Sequence, residues 1–136
     1  MFETFDHTAD LGLRMRAADL DALFAEAALA LFSTLVEDLA TVLPRELMKI
    51  ELTGSDREYL LFDWLKELLF RFEGEHWLFS RFAVKVRDDG LTGEAWGEPL
   101  DRGRHPLSHE VKAITYHGLK VELSPDGWLA EVIVDI

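Results

Sequence analysis

The sequence contains no cysteine. That removes disulfide frameworks, thiolate zinc sites and cysteine nucleophiles, and makes an intracellular address the simpler expectation. Basic side chains are scarce, with 14 Lys plus Arg against 26 Asp plus Glu and a formal net charge of -12. A phosphate backbone is gripped by cations that neutralise it, so this balance argues against direct, autonomous nucleic-acid binding. Long apolar runs are also missing. The longest uncharged stretch in the apolar part, residues 27–36, is about half of the roughly 20 residues that a membrane-spanning helix requires, and Glu26 and Glu37 bound it. The first residues, Met1-Phe2-Glu3-Thr4-Phe5-Asp6, carry neither the basic nor the apolar region of an export signal. A cytoplasmic protein is expected.

The common catalytic signatures are absent as well. No Gly-x-x-x-x-Gly-Lys-[Ser/Thr], Gly-x-Gly-x-x-Gly or Gly-x-Ser-x-Gly occurs, so neither a phosphate-cradling loop nor a nucleophile elbow is supported. His109-Glu110 begins like a metalloprotease motif, but Ala113 stands where the second His belongs. His105 and His109 are four apart, yet Pro106 opposes a helix carrying both as ligands, and a solvated loop is the expectation there.

What is present is a chain of 136 residues, 49% hydrophobic, enough for one ordinary core and without repeat, linker or low-complexity tract. Residues 1–136 are expected to form a single domain. Residues 11–17 alternate as a half-buried strand does. Asp19 stands at an N-cap position before Leu20, Leu23, Phe24, Ala27, Ala28, Leu31 and Leu35, which recur at helical spacing. Met48, Ile50 and Leu52 mark a second strand, and Ser55 with Glu58 has capping-box spacing. Behind it Leu60, Leu61, Trp64, Leu65, Leu68, Leu69 and Phe72 form a wide stripe expected at the centre of the core. Phe82, Val84 and Val86, the turn Asp88-Asp89-Gly90 and residues 91–96 predict a hairpin. Phe70, Phe72, Trp77, Phe79 and Phe82 read as core rather than as a base-stacking platform.

Residues 100–120 form a local basic island, with Arg102, Arg104, Lys112 and Lys120 against Asp101 and Glu110. Residues 111–123 read largely as strand interrupted at Gly118, and Ser124-Pro125-Asp126-Gly127 turns the chain into a last strand. Two long helices among about six strands define the expected fold class: α+β, a single compact domain with two main helices packed on a mostly antiparallel sheet.

Two segments carry candidate chemistry. Phe5-Asp6-His7-Thr8-Ala9-Asp10-Leu11-Gly12 packs small, polar and acidic residues before the first strand. One reading is a turn in which Asp6, Thr8 or Asp10 bonds nearby backbone; the other makes Asp10 a hard-cation ligand. At the other end Val132, Val134 and Ile136 share a strand face, which would hold the Asp135 side chain and the Ile136 carboxylate in the fold. Three negative groups brought together need a cation or basic groups, and oxygen-only ligation suits Ca²⁺ or Mg²⁺.

Four blocks in order resemble the archease family: residues 5–12, 60–69, 110–119 and Val134-Asp135-Ile136. The resemblance implies an α+β domain without catalysis of its own. It would activate the RNA-splicing ligase RtcB, promoting its guanylylation from GTP and multiple turnover in tRNA splicing and RNA end joining. It further implies a divalent-metal site, most often holding calcium, on Asp10, Asp135 and Ile136, and it makes Lys112 a partner-facing candidate. Arg14-Met15-Arg16 and residues 102–105 depart mildly from the family pattern. A chaperone-like adaptor and a divalent-metal-dependent hydrolase are the readings from other classes.

Overall fold

The computed structural model describes residues 1–7 and 10–136. A hydrogen-bonding turn at Thr8 therefore lies outside the described residues. The first described element is β1 (Phe2–His7), which pairs with β2 (Asp10–Ala17) as an antiparallel ribbon. Sequence reading placed one strand here, because the polar and small residues of the motif mask the alternation of Phe2, Thr4 and Asp6 with Glu3 and Phe5. Gly12 lies directly opposite Phe5. A Cβ at Gly12 would fall inside the Phe5 ring, which instead lies across the strand with the Arg14 guanidinium 4.5 Å from its centroid.

Helix α1 (Leu20–Leu35) begins where Asp19 predicts, its Oδ1 accepting the Ala22 N–H at 2.8 Å. Leu23, Phe24, Ala27, Ala28, Leu31 and Leu35 are all buried, which spends the predicted stripe on the core. Strand β3 (Glu46–Thr53) follows, then α2 (Arg57–Glu75). Here Asp56, rather than Ser55, is the N-cap: its Oδ1 accepts from the N–H groups of Glu58 and Tyr59 at 2.9 and 3.0 Å. An ionised carboxylate is the stronger acceptor at the positive helix end. The Glu58 side chain turns away from the cap and accepts the Val121 N–H at 3.3 Å. α2 continues through Gly74 and stops at His76, whose left-handed conformation (φ 60°, ψ 39°) directs its N–H back to the carbonyls of Arg71 and Phe72.

The predicted hairpin is β4 (Trp77–Arg87) and β5 (Gly90–Pro99), joined across Asp88 and Asp89. After a long loop come β6 (Ala113–Ile114), β7 (Lys120–Ser124) and β8 (Gly127–Asp135). The reading of residues 111–123 as largely strand thus contracts to two short pieces, because β8 offers one free edge and the loop reaches it only twice.

The expected single antiparallel sheet is divided into two, in which every pairing is antiparallel. One has the order β1-β2-β8-β6, with β7 also on β8; the other has the order β3-β5-β4. Helix α1 lies against β2 and β8 of the first sheet and β4 of the second, and α2 against β3, β4, β6 and β7, so the helices join the two sheets. Trp64 is fully buried at this junction, donating Nε1–H to the Phe24 carbonyl at 3.0 Å with its ring over Gly93. Phe82 meets the Trp64 ring edge to face and links it to Phe32 and Phe79, themselves an edge-to-face pair.

The loop that follows β5 is tied at several points. Residues 106–109 zip onto the C-terminal end of α1: Ser108 N–H donates to the Leu35 carbonyl at 2.9 Å, and His109 N–H to that of Thr34 at 3.1 Å. These bonds satisfy carbonyls that the helix leaves open. His105, expected in a solvated loop, is fully buried. Its Nδ1 accepts the Asp101 N–H at 2.9 Å, so the ring proton resides on Nε2, 2.9 Å from Glu98 Oε2. Glu98 is itself only 3% exposed and also accepts from Leu43 N–H at 2.8 Å and Arg104 at 2.6 Å. A second correction concerns Phe70, which sequence reading placed in the core and which stands 59% exposed on the outer face of α2.

Candidate metal centre and its surroundings

Strand register brings the two ends of the sequence together. Asp10, the first residue of β2, pairs directly with Asp135, the last of β8, and on the other side Asp135 pairs with Ala113 of β6. Residues directly opposite in an antiparallel pair project from the same face, with Cβ atoms about 5 Å apart. Two carboxylates so placed repel each other. Among the described residues no Lys or Arg forms an ion pair with either one; Asp10 Oδ2 has only His7 Nδ1 near it, at 3.8 Å. That nitrogen is itself buried and without a hydrogen-bond partner.

Ile136 follows Asp135 at this edge and packs against the core. Among the described residues no three His, Cys, Asp or Glu side chains form a metal-holding group. Two aspartates are the side-chain contribution, and the third anionic group in the expected set is main-chain. The donors are oxygens from carboxylates in uncompensated proximity, a set that fits a hard cation such as Ca²⁺ or Mg²⁺.

Lys112 is beside this corner by its backbone. Its N–H donates to the Asp135 carbonyl at 2.7 Å, fixing the edge of the sheet next to the acids. Its exposed side chain lines a cleft of about 670 Å³ between α2 and the loop, together with Glu73, His76, Arg102 and His109. All four residues singled out from sequence therefore meet at one end of one sheet, with Lys112 turned to the cleft.

Sequence reasoning missed the neighbours that only folding supplies. The His7 and His117 rings meet edge to face, centroids 5.4 Å apart, which joins the first motif to the block at residues 110–119. Tyr116, next in sequence, stacks on Phe62 of α2 with centroids 3.9 Å apart. Partial desolvation and the nearby Asp63 carboxylate hold its phenol above the ordinary value. The signal for this contact was present only as a shared aromatic character in two blocks distant along the chain.

A two-sheet α+β domain with both helices joining the sheets, and with two aspartates paired across adjacent strands at one corner, defines the class of small domain to which the chain belongs. Its family follows from comparison with known proteins. Residues 2–136 match the archease protein family (MTH1598/TM1083). The archease of Methanopyrus kandleri is 46% identical over 139 residues, covering 99% of both chains. That of Pyrococcus furiosus is 41% identical over 140 residues, covering 99% of this chain and 98% of its own. The solution structure of protein 1598 from Methanobacterium thermoautotrophicum superposes with a TM-score of 0.87 at 42% identity, covering 99% and 98% of the two chains. A crystal structure of an archease and possible chaperone from Thermotoga maritima shares the fold with a TM-score of 0.67 at 21% identity, covering 100% of this chain and 98% of that one. The chain belongs to the archease family.

Proposed function

We propose that this archease is a non-catalytic protein cofactor of the RNA-splicing ligase RtcB, promoting its guanylylation and repeated turnover in tRNA splicing and RNA end joining, in the cytoplasm. The observation that carries the reading is the direct pairing of Asp10 with Asp135 beside Ile136 and Lys112, where three of the four blocks of resemblance meet. In this reading the three anionic groups hold one divalent cation, Ca²⁺ as the family resemblance implies or Mg²⁺, both hard ions that take carboxylate oxygens. A cation held by Asp10, Asp135 and Ile136 would neutralise the corner. The ligase performs the chemistry.

A net charge of -12 fits such a role. A ligase that binds RNA and nucleotide exposes basic surface, and an acidic activator is steered towards it without competing for RNA directly. RNA joining by the cognate ligase under multiple-turnover conditions tests the proposal. Addition of this protein should raise the number of turnovers per ligase; a ligation curve identical with and without it removes the reading.

A chaperone-like adaptor acting on several partners is the second reading, favoured by the description of the Thermotoga maritima protein. Suppression of aggregation of unrelated clients at stoichiometric amounts would support it.

A further inference from the structure

Helix α2 carries a stripe that the core does not use. Tyr59, Lys66 and Phe70 recur at helical spacing on the side facing away from Trp64, around Phe62, which is itself buried. Tyr59 and Phe70 are 57% and 59% exposed, and Tyr116, which packs between Tyr59 and Phe62, is 53% exposed. Among the described residues these three are the large aromatic side chains left open to solvent, and all three fall on one face. Between α2 and β6 the face sinks into a groove of about 370 Å³ floored by Leu69 and Ile114, with Lys66 and Lys112 on its sides. On the other side of Phe70 a second depression of about 390 Å³ is lined by Asp63 and Glu67 with Lys66 between them.

We infer that this face of α2, from Tyr59 and Tyr116 to Phe70, is the docking surface for a protein partner that presents arginine side chains, and that it extends the carboxylate corner into one contact area. The inference rests on the activator reading above, and its occupant is the ligase of that reading. Three observations select this chemistry. Tyr59 and Tyr116 are exposed and in contact, with Phe70 exposed on the same helix, and exposed aromatic side chains of this kind are enriched at protein interfaces, tyrosine among their hot spots. A guanidinium stacks on such rings and pairs with a carboxylate beside them, and Asp63 stands next to Tyr116. The face is also continuous with the corner through Tyr116 and His117, whose ring meets His7. A base-stacking RNA platform needs a positive groove interleaved with the rings, and here Lys66 and Lys112 are offset by Asp63, Glu67 and Glu73 along the same face.

The test compares the full-length protein with Tyr59→Ser, Phe70→Ser and the double variant. Affinity for the cognate ligase is measured by calorimetry, beside Ca²⁺ titration, thermal melting and filter binding to the RNA substrate. The double variant should bind the ligase about tenfold or more weakly, with Ca²⁺ affinity and melting unchanged, since both side chains are exposed and neither belongs to the proposed ligand set. Wild-type binding and activation that both variants retain in full overturn this inference and leave the activator reading standing. Absence of any binding or activation by the wild-type protein overturns the activator reading and this inference with it. RNA retention by the wild-type protein that the variants lose overturns the protein-docking assignment in favour of base stacking.

Discussion

At the scale of single residues, the pairing of Asp10 with Asp135 gives the metal proposal a signature that a hydrogen-bonding turn would not. Without metal the opposed charges destabilise the fold, so Asp10→Asn should raise the melting temperature of chelator-treated protein slightly. In excess Ca²⁺ the order should reverse, because only the wild-type protein gains binding energy from the folded state. Calorimetry should show Ca²⁺ affinity reduced about tenfold or more in Asp10→Asn, and likewise when residues are appended after Ile136. Equal affinities would assign Asp10 to the turn alone. The buried Glu98 offers a different prediction. Burial by itself would raise its carboxyl, but Arg104, the Leu43 N–H and His105 lower it from 4.5 to about 2. A carboxyl lowered in the folded state contributes stability fully above its unfolded value and loses it as pH falls towards the folded one. Acid unfolding should therefore gain a component between pH 4.5 and about 2 that Glu98→Gln lacks. At neutral pH the same variant should cost about 2–4 kcal/mol by denaturant titration, as the charge that pairs with Arg104 is lost and one of the two accepting oxygens becomes an amide nitrogen that cannot accept from its buried donor.

At the scale of elements, local rules succeeded where the chain supplied its own partner. Asp19 caps α1 as read, since an N-cap needs only the next three residues. Helix α2 was located correctly and capped one residue later than its sequence spacing suggested. Asp56→Ala should cost about 1 kcal/mol, and Ser55→Ala close to nothing, in equilibrium unfolding; the reverse order would restore the capping box of Ser55 and Glu58. Strand β1 went unread and residues 111–123 were read as too much strand for the same reason. A strand is stabilised by its neighbour, and its neighbour is not local. Gly93 shows how specific that neighbour is. A Cβ there would enter the Trp64 ring, so Gly93→Ala should destabilise by about 2 kcal/mol by displacing the central side chain of the core.

At the scale of the whole molecule, charge governs encounter more than fold. With a net charge of -12, activation of the ligase should weaken as salt rises from about 50 to 500 mM, through slower association. Activation that ignores salt would assign the contact to its aromatic and metal-mediated parts alone. The sequence by itself determined the composition of the parts: two amphipathic helices, strands bounded by turn residues, an excess of acid and the four blocks that mark the family. It also named Asp10, Asp135, Ile136 and Lys112, because a family motif is written in residue types at fixed positions. Only the tertiary structure decided that the first motif and the last strand are adjacent, that His105 is interior and Phe70 exterior, and that Tyr116 rests on α2. Periodicity records how polar one face of an element is, whereas pairing and packing depend on which distant element arrives there, and that is set by the closure of the whole chain.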